Sequence, residues 1–375
     1  MDLNFELLIV EDSAADAALI QANLRVGLGK VNLRRVDRLS AAIEALATET
    51  YNVVLLDLNL PDSSGVETFR RLSARSAGTP IIVLSGMEDA ETAIEAVGAG
   101  ADDYVQKSHY DAQTLARSVR FAIERNSRRR AERELNQVRG ELDAAQHIQD
   151  SLYPREAPVV PGLDIACGIQ SAGIGCGDYY DFIPLHDGRL AIVVGDVSGH
   201  GMASAMVMAQ TRACLRTLTA VNAGTDLILA AMNRLIYSAT SEGMFVTLLL
   251  VIYDPAAGSF EYFNAGHPGW IVRSESRDQL ATHQLPLGLI PELDYSDCGR
   301  FSLARGDILV MPTDGIAETP SGREMFGNDR LLSCIEQHRG EHAQEIVNHV
   351  FAAAMAYAEA EVPADDMTAV ILKAL

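Results

Sequence analysis

Carboxylates at the ends of apolar runs are the first chemistry-bearing feature of this sequence. Glu11 and Asp12 follow the run Phe5-Val10, and Asp57 follows Val53-Val54-Leu55-Leu56. Three carboxylates gathered at one edge of a sheet repel one another unless a hard cation sits among them, and oxygen ligands of this kind suit Mg2+. The fourth run ends in Ser85-Gly86, a hydroxyl beside a residue with no side chain to obstruct approach. The fifth ends in Lys107, a compact cation suited to a phosphoryl oxygen. Asp57 as nucleophile, Mg2+ as charge neutraliser, and Ser85 with Lys107 as phosphoryl clamps make a complete phosphoryl-transfer site.

A second acidic set lies in the C-terminal half. Asp178 closes Gly173-Ile174-Gly175-Cys176-Gly177-Asp178, and Asp196 lies in Gly195-Asp196-Val197-Ser198-Gly199-His200-Gly201. Thr313-Asp314-Gly315 and Asp365-Asp366-Met367-Thr368 come much later. Each motif falls at an expected strand end or tight turn, where glycine lets oxygens approach a cation closely. Distributed carboxylates without cysteine or clustered histidine point to Mg2+ or Mn2+ and away from zinc. Two such ions close together can activate a water for attack on phosphorus, with no covalent intermediate. Asp187-Gly188 reads only as a hairpin turn.

The elements that must carry these groups follow from periodicity. Up to about residue 122, apolar runs (with Val31-Arg35 a weaker second strand and Asp103-Val105 the last) alternate with amphipathic stretches Ala14-Arg25, Leu39-Ala47 and Ala90-Val97. That pattern predicts a doubly wound α/β domain, a parallel sheet covered on both faces, with functional groups at the carboxyl ends of its strands. From about Asp111 to Leu152 there is no proline, and Ala131, Leu135, Val138, Leu142, Ala145 and Leu152 repeat at alternating spacings of four and three, with Gln149 the polar position of the seam. This predicts a coiled coil of about three heptads; a single amphipathic linker helix lying on a domain is the other reading. Pro154, Pro158 and Pro161 end that helix. Beyond them, β-like runs (Leu190-Val194, Phe245-Ile252, Ile308-Met311, Met367-Leu372) and helical patterns (Ala203-Leu218, Leu227-Ser238, Ala343-Ala360) predict an α+β domain with antiparallel sheets and helices outside. The expected division is 1–122, 123–155 for the linker, and 156–375.

The first set of motifs resembles the receiver domain of bacterial response regulators. Glu11-Asp12, Asp57, Ser85 and Lys107 match its acidic pair, phospho-acceptor, hydroxyl and lysine, and Tyr104 matches its aromatic switch. Ser108 stands where that family usually has proline. The second set resembles the PPM family of metal-dependent serine/threonine phosphatases in its bacterial stress-response branch. Phe245-Val246-Thr247, Asn264-Ala265-Gly266-His267-Pro268, Leu285-Pro286-Leu287-Gly288, Phe326-Gly327 and the leading helix Ala145-Pro154 carry that likeness too. It implies an α-β-β-α sandwich with Asp178 and Asp196 as core metal ligands aided by the Val197 carbonyl, and Asp314 and Asp365 completing the shell of the second ion. Asp366 substitutes for Asp365 if the register is off by one. Cys176 departs from the family's glycine. For His200 and His267, general-acid and local packing roles both stand open.

The resemblances together imply a response regulator whose aspartyl phosphorylation by a cognate histidine kinase controls a phosphatase. Its substrate would be a phosphorylated anti-sigma-factor antagonist, and the linker helix would make it a homodimer. A net charge of −21 argues against a nucleic-acid partner. No apolar run approaches a membrane span, and Met1-Asp2 opens directly into a strand pattern. The five cysteines form no CxxC pair, which suits reduced thiols and a cytoplasmic setting. A non-catalytic adaptor is the competing reading, and retention of all four phosphatase aspartates weighs against it. A DNA-binding regulator ranks lower, with no helix-turn-helix or basic segment after residue 143.

Overall fold

The apolar runs of the N-terminal part become strands buried on both faces. In the computed structural model, which describes residues 5–86, 90–107, 110–240 and 243–375, the chain divides into Met1–Arg139 and Gly140–Leu375. Ser108 lies outside the described residues. The first unit runs β1 (Phe5–Val10), α1 (Ala14–Leu28), β2 (Val31–Val36), α2 (Leu39–Thr48), β3 (Val53–Asp57), α3 (Val66–Ser73), β4 (Ile81–Ser85), α4 (Ala90–Gly98) and β5 (Asp103–Gln106) into α5 (Ala112–Asp150). Its strands form one parallel sheet in the order β2-β1-β3-β4-β5. Alternation along β1 explains the fully apolar run: Leu7 and Ile9 pack with Ile20, Leu24, Leu115 and Val119, while Leu8 and Val10 pack with Leu39, Phe69 and Leu72 on the other face. Helix α3 is absent from the sequence reading because its eight residues make little more than two turns, too short a window for an otherwise clear amphipathic pattern to stand out. A parallel β3–β4 connection nonetheless needs a crossover, and α3 supplies it by burying Thr68, Phe69 and Leu72.

The second unit takes in the last part of α5, from Gly140 onward. Its strands are β6 (Leu163–Gln170), β7 (Tyr179–Pro184), β8 (Leu190–Val197), β9 (Val246–Asp254), β10 (Ser259–Ala265), β11 (Trp270–Val272), β12 (Arg277–Gln279), β13 (Gly299–Phe301), β14 (Ile308–Pro312), a small hairpin β15 (Pro320–Ser321) and β16 (Glu324–Met325), and β17 (Met367–Ala374). Its helices are α6 (Met202–Ala220), α7 (Thr225–Ala239), α8 (Asp314–Ala317), α9 (Gly327–Gln337) and α10 (Ala343–Ala358). Two antiparallel five-stranded sheets form, β13-β10-β9-β8-β7 and β12-β11-β14-β17-β6. One core lies between them, joining Ile192, Val194, Leu249 and Val251 to Leu309, Met311, Val370 and Leu372. The outer face of the first sheet packs on α6 and α7 through Val193, Leu248, Met208, Leu215 and Met232. The second packs on α9 and α10 through Val310, Ile371, Leu331, Ile335 and Val350. Helices therefore cover a β-sandwich on both sides, and the sandwich strands are apolar on both faces for the same reason as those of the first unit.

The linker heptads sort into two halves. Leu135 and Val138 are 67% and 53% exposed. Leu152 instead packs on the core beneath the β13-β10-β9-β8-β7 sheet, and Gln149 is buried. Gln149 is thus not a polar seam position: its amide is consumed within its own unit, as described next.

Candidate functional site

The parallel sheet brings the first acidic set together at the carboxyl ends of β1 and β3. Glu11, Asp12 and Asp57 each offer a ligand oxygen within 4.8 Å of the others. Lys107, following β5, places its Nζ 2.6 Å from Glu11 Oε2, 2.6 Å from Asp57 Oδ2 and 3.5 Å from Asp16. Burial raises the Glu11 carboxyl above its ordinary range, partly offset by the Lys107 hydrogen bond. Burial alone would lower the Lys107 ammonium; hydrogen bonds from it to Asp57 and Glu11 overcome this and hold it above its usual value. Ser85, on β4 beside β3, is 1% exposed and its hydroxyl has no hydrogen-bond partner among the described residues. A buried hydroxyl left unpaired costs free energy until a ligand oxygen reaches it. Tyr104 on β5 is 42% exposed and stands outside this cluster.

The second acidic set converges from four elements. Asp178 precedes β7, Asp196 lies near the end of β8, Asp314 opens α8 and Asp365 precedes β17. Asp178 is 1% exposed and accepts a hydrogen bond from the Thr313 hydroxyl at 2.8 Å. Burial first, then the Asp196 charge, raises the Asp178 carboxyl well above the normal range. Asp196 is pushed up to about 7 by burial and by Asp314 and Asp365. Asp314 is raised by burial, Glu318 and Asp365. Asp178 is buried, Asp196 half-buried, and Asp314 and Asp365 exposed. The charges of Asp196, Asp314 and Asp365 act on their neighbours, and Mg2+ or Mn2+ among them would offset that repulsion, so the donor set fits such ions. These aspartates are spread more widely than the receiver trio, as a two-ion site requires. Gly177 admits a close approach: a Cβ there would lie 3.0 Å from the Val197 carbonyl oxygen.

Asp366 does a different job from its neighbour. Its two oxygens accept from Ala172 N at 2.8 Å and Gly177 N at 2.9 Å, while Asp365 stays exposed. Three residues that the sequence did not assign to this site complete the clamp on the 173–177 loop. Gln146 Oε1 accepts from Gly175 N at 2.7 Å, Gln149 bonds the Cys176 N and O at 3.0 and 2.5 Å, and the Tyr153 hydroxyl donates to the Asp178 carbonyl at 2.7 Å. Cys176 is buried and its thiol is raised, first by burial and then by Asp178 and Asp366. The only signal for these partners was the polar residues within Ala145-Pro154. Asp181 is fully buried against Arg216, which grips it through two bonds of 2.6 Å. His267 is 2% exposed, with Nδ1 2.8 Å from the Thr247 hydroxyl, its backbone N–H donating to Asn264 and its carbonyl accepting from it. His200 is exposed between glycines.

A parallel sheet with this acidic trio is a receiver, and a helix-covered antiparallel sandwich with this aspartate set is a metal-dependent phosphatase domain of the PP2C type, a class that works with Mn2+ or Mg2+. The family profile described as Response regulator receiver domain matches residues 7–120, and that of Stage II sporulation protein E (SpoIIE) matches 186–375. The chain belongs to the SpoIIE family. It is similar to the phosphoserine phosphatase RsbU of Bacillus subtilis, 25% identical over 240 residues that cover 63% of this chain and 71% of that protein. Its N-terminal part is similar to the cell cycle response regulator CtrA of Brucella ovis, 36% identical over 126 residues, 34% of this chain and 53% of that protein. In fold it is similar to the SiaA-PP2C domain of Pseudomonas aeruginosa, with a TM-score of 0.57 and 20% identity over 64% of this chain and 98% of that one. The protein is a response regulator with a metal-dependent serine/threonine phosphatase as its output. Among the described residues, no helix is long and apolar enough to cross a membrane.

Proposed function

We propose that this chain removes phosphate from phosphoserine or phosphothreonine on an anti-sigma-factor antagonist, at a rate set by a histidine kinase acting on Asp57. The convergence of Asp178, Asp196, Asp314 and Asp365, each on a different element, carries this reading. The likeness to RsbU, a phosphoserine phosphatase by name, supports the substrate class and a place in partner switching.

In the receiver, Glu11, Asp12 and Asp57 would hold Mg2+. An Asp57 oxygen attacks phosphorus, the bond from phosphorus to the donor breaks, and an acyl phosphate remains. Lys107 transfers from the Asp57 carboxylate to a phosphoryl oxygen, and the unpaired Ser85 hydroxyl turns to another, with Tyr104 moving inward as the switch. In the phosphatase, Asp178 and Asp196 with the Val197 carbonyl, and Asp314 with Asp365, would hold two Mn2+ or Mg2+ ions. When bound, the ions supply charge neutralisation and an activated water. The chain's own residues orient that site: Thr313 fixes the Asp178 carboxylate, and Asp366, Gln146, Gln149 and Tyr153 fix the loop bearing it. Water oxygen bonds to phosphorus, the phosphorus–serine oxygen bond breaks, and the serine oxygen takes up a proton.

Residues 1–122 serve as receiver, 123–155 as linker and 156–375 as phosphatase. The exposed linker positions Leu135 and Val138 suit pairing with a second copy in a coiled coil confined to the first half of the seam. The deciding experiment is phosphate release from a phosphorylated antagonist protein with Mn2+, before and after acetyl phosphate. Activity that persists in EDTA, or that ignores acetyl phosphate as the Asp57→Asn variant should, sinks the reading.

A further inference from the structure

Behind the second sheet, far in chemistry from the carboxylate sites, two imidazoles and a carboxylate meet at the corner between α9 and α10. His338 caps the C-terminus of α9, Glu341 lies in the connecting turn and His349 sits on α10. Glu341 Oε1 is 3.0 Å from His338 Nδ1, and its Oε2 is 3.0 Å from His349 Nε2. The two rings stack with centroids 3.6 Å apart and planes inclined by 10°. One donor atom from each residue falls within 4.8 Å of the other two.

The backbone around them is held. His338 N donates to the Cys334 carbonyl, Glu341 N to the His338 carbonyl at 2.9 Å, and Lys373 Nζ to the Glu341 carbonyl at 2.6 Å. His342 then starts α10 with a reciprocal capping box to Glu345. The three side chains are 27%, 39% and 45% exposed, so an ion can reach them without opening the fold. Cys334 lines the same recess; burial and the Glu341 charge raise its thiol, and it is left out of the donor set.

We propose that His338, Glu341 and His349 form a binding site for a divalent transition ion of the zinc class, separate from the phosphatase and receiver cation sites. Two imidazole nitrogens and one carboxylate oxygen suit Zn2+, Co2+, Ni2+ or Cu2+ far better than Mg2+. A tetrahedron of Zn–N and Zn–O bonds has ligand–ligand edges of about 3.3 Å. The 3.0 Å contacts of Glu341 with each histidine are close to that spacing, and the two rings, now nearly parallel, must each tilt about their side-chain torsions to bring both in-plane lone pairs onto one ion. A fourth position stays open to water. The ion would staple α9 to α10, and α9 packs on α8, the element that begins at Asp314. The proposal does not depend on the phosphatase reading, because its donors are not shared with that site.

The test uses the full chain in excess Mg2+, which occupies the hard-oxygen sites, and titrates Co2+ followed by Zn2+. The expected result is one equivalent bound with the visible spectrum of nitrogen-ligated Co2+, displaced by Zn2+. It should persist in an Asp196→Asn, Asp314→Asn background. Affinity should fall about a hundredfold or more in His338→Ala or His349→Ala. At a hundredfold excess over its Kd, Zn2+ should raise the melting temperature by roughly 5–10 °C in the wild type. His349→Gln, which keeps a hydrogen bond to Glu341, reports the same loss if an alanine variant misfolds. Absence of a Mg2+-resistant equivalent, undiminished binding by folded histidine variants, or loss of the equivalent with the aspartates would overturn the proposal. In those cases the trio is only a hydrogen-bonded helix corner.

Discussion

In the receiver site, Lys107 stands 2.6 Å from both Glu11 and Asp57, so its carboxylates carry their own counter-charge. In the phosphatase site, Asp178 and Asp196 are each pushed up by burial and by other carboxylates, and Asp178 leans on the hydroxyl of Thr313. The first arrangement is partly neutralised without metal, one ammonium against three carboxylates, and trades its internal cation when a phosphoryl group arrives. The second stores repulsion that external cations relieve, and a clamp of backbone hydrogen bonds holds it in shape meanwhile. A switch and a catalyst thus solve the same charge problem differently: one must change state, the other must stay assembled.

The widest separation between the two sites should appear when a carboxylate is lost. Asp196→Ala or Asp314→Ala should cut phosphatase kcat/KM by about a hundredfold or more, since a two-ion site loses a ligand and its charge balance. Phosphorylation of Asp57 by acetyl phosphate, read by intact mass, should continue unchanged in both. A phosphatase that loses only a few-fold would mean that the aspartate set is not the cation site.

Removing the internal cation probes the other side of the contrast. Lys107→Ala should destabilise the metal-free receiver by about 2 kcal/mol, because Glu11 and Asp57 lose their partner. Added Mg2+ should return much of that. Urea denaturation with and without Mg2+ reads this directly, and equal loss in both conditions would contradict a charge-compensating role.

The backbone clamp gives a smaller effect. Gln149→Leu removes both amide bonds to Cys176 and should lower phosphatase kcat about tenfold. KM for Mn2+ should rise with it, while receiver labelling stays intact. If kcat and the Mn2+ requirement both hold steady, the helix end does not position the aspartate loop.

The smallest effect concerns protons. His267 is held neutral by burial, its pKa lowered to about 3 from 6.5. Its hydrogen-bond partner Thr247 lies opposite Asp196. Because the folded value is depressed, the unfolded chain binds the proton first. Stability is therefore full above about pH 6.5 and declines as pH falls toward about 3. The loss should be about 1 kcal/mol at roughly pH 5.8. His267→Gln should flatten this slope; an unchanged slope would assign it to other groups.

Much of the fold was legible because burial writes itself into composition. The strand Phe5–Val10 and the run Leu190–Val194 are apolar throughout because both faces are covered, and that signal is local. Helix α3 was not legible, since its eight residues are too short a stretch for their amphipathic pattern to stand out. Gln149 was misread as a seam position because heptad spacing records which residues share a helix face and says nothing of what meets that face. Its partner, Cys176, is 27 residues away.

Residue types and strand-end positions alone determined the chemistry: acceptor-only carboxylates with glycine turns, a lysine and a hydroxyl after apolar runs, and hence hard cations and phosphoryl groups. Which neighbour of an acidic pair faces a cation was decided by tertiary structure. Asp365 and Asp366 are adjacent and identical in type, yet only Asp366 is spent on the amides of Ala172 and Gly177. The meeting of His338, Glu341 and His349 was likewise decided by the turn between two packed helices. Donor chemistry is a property of each side chain and can be read one residue at a time. Orientation and company depend on contacts between segments distant in sequence, and those exist only once the chain has folded.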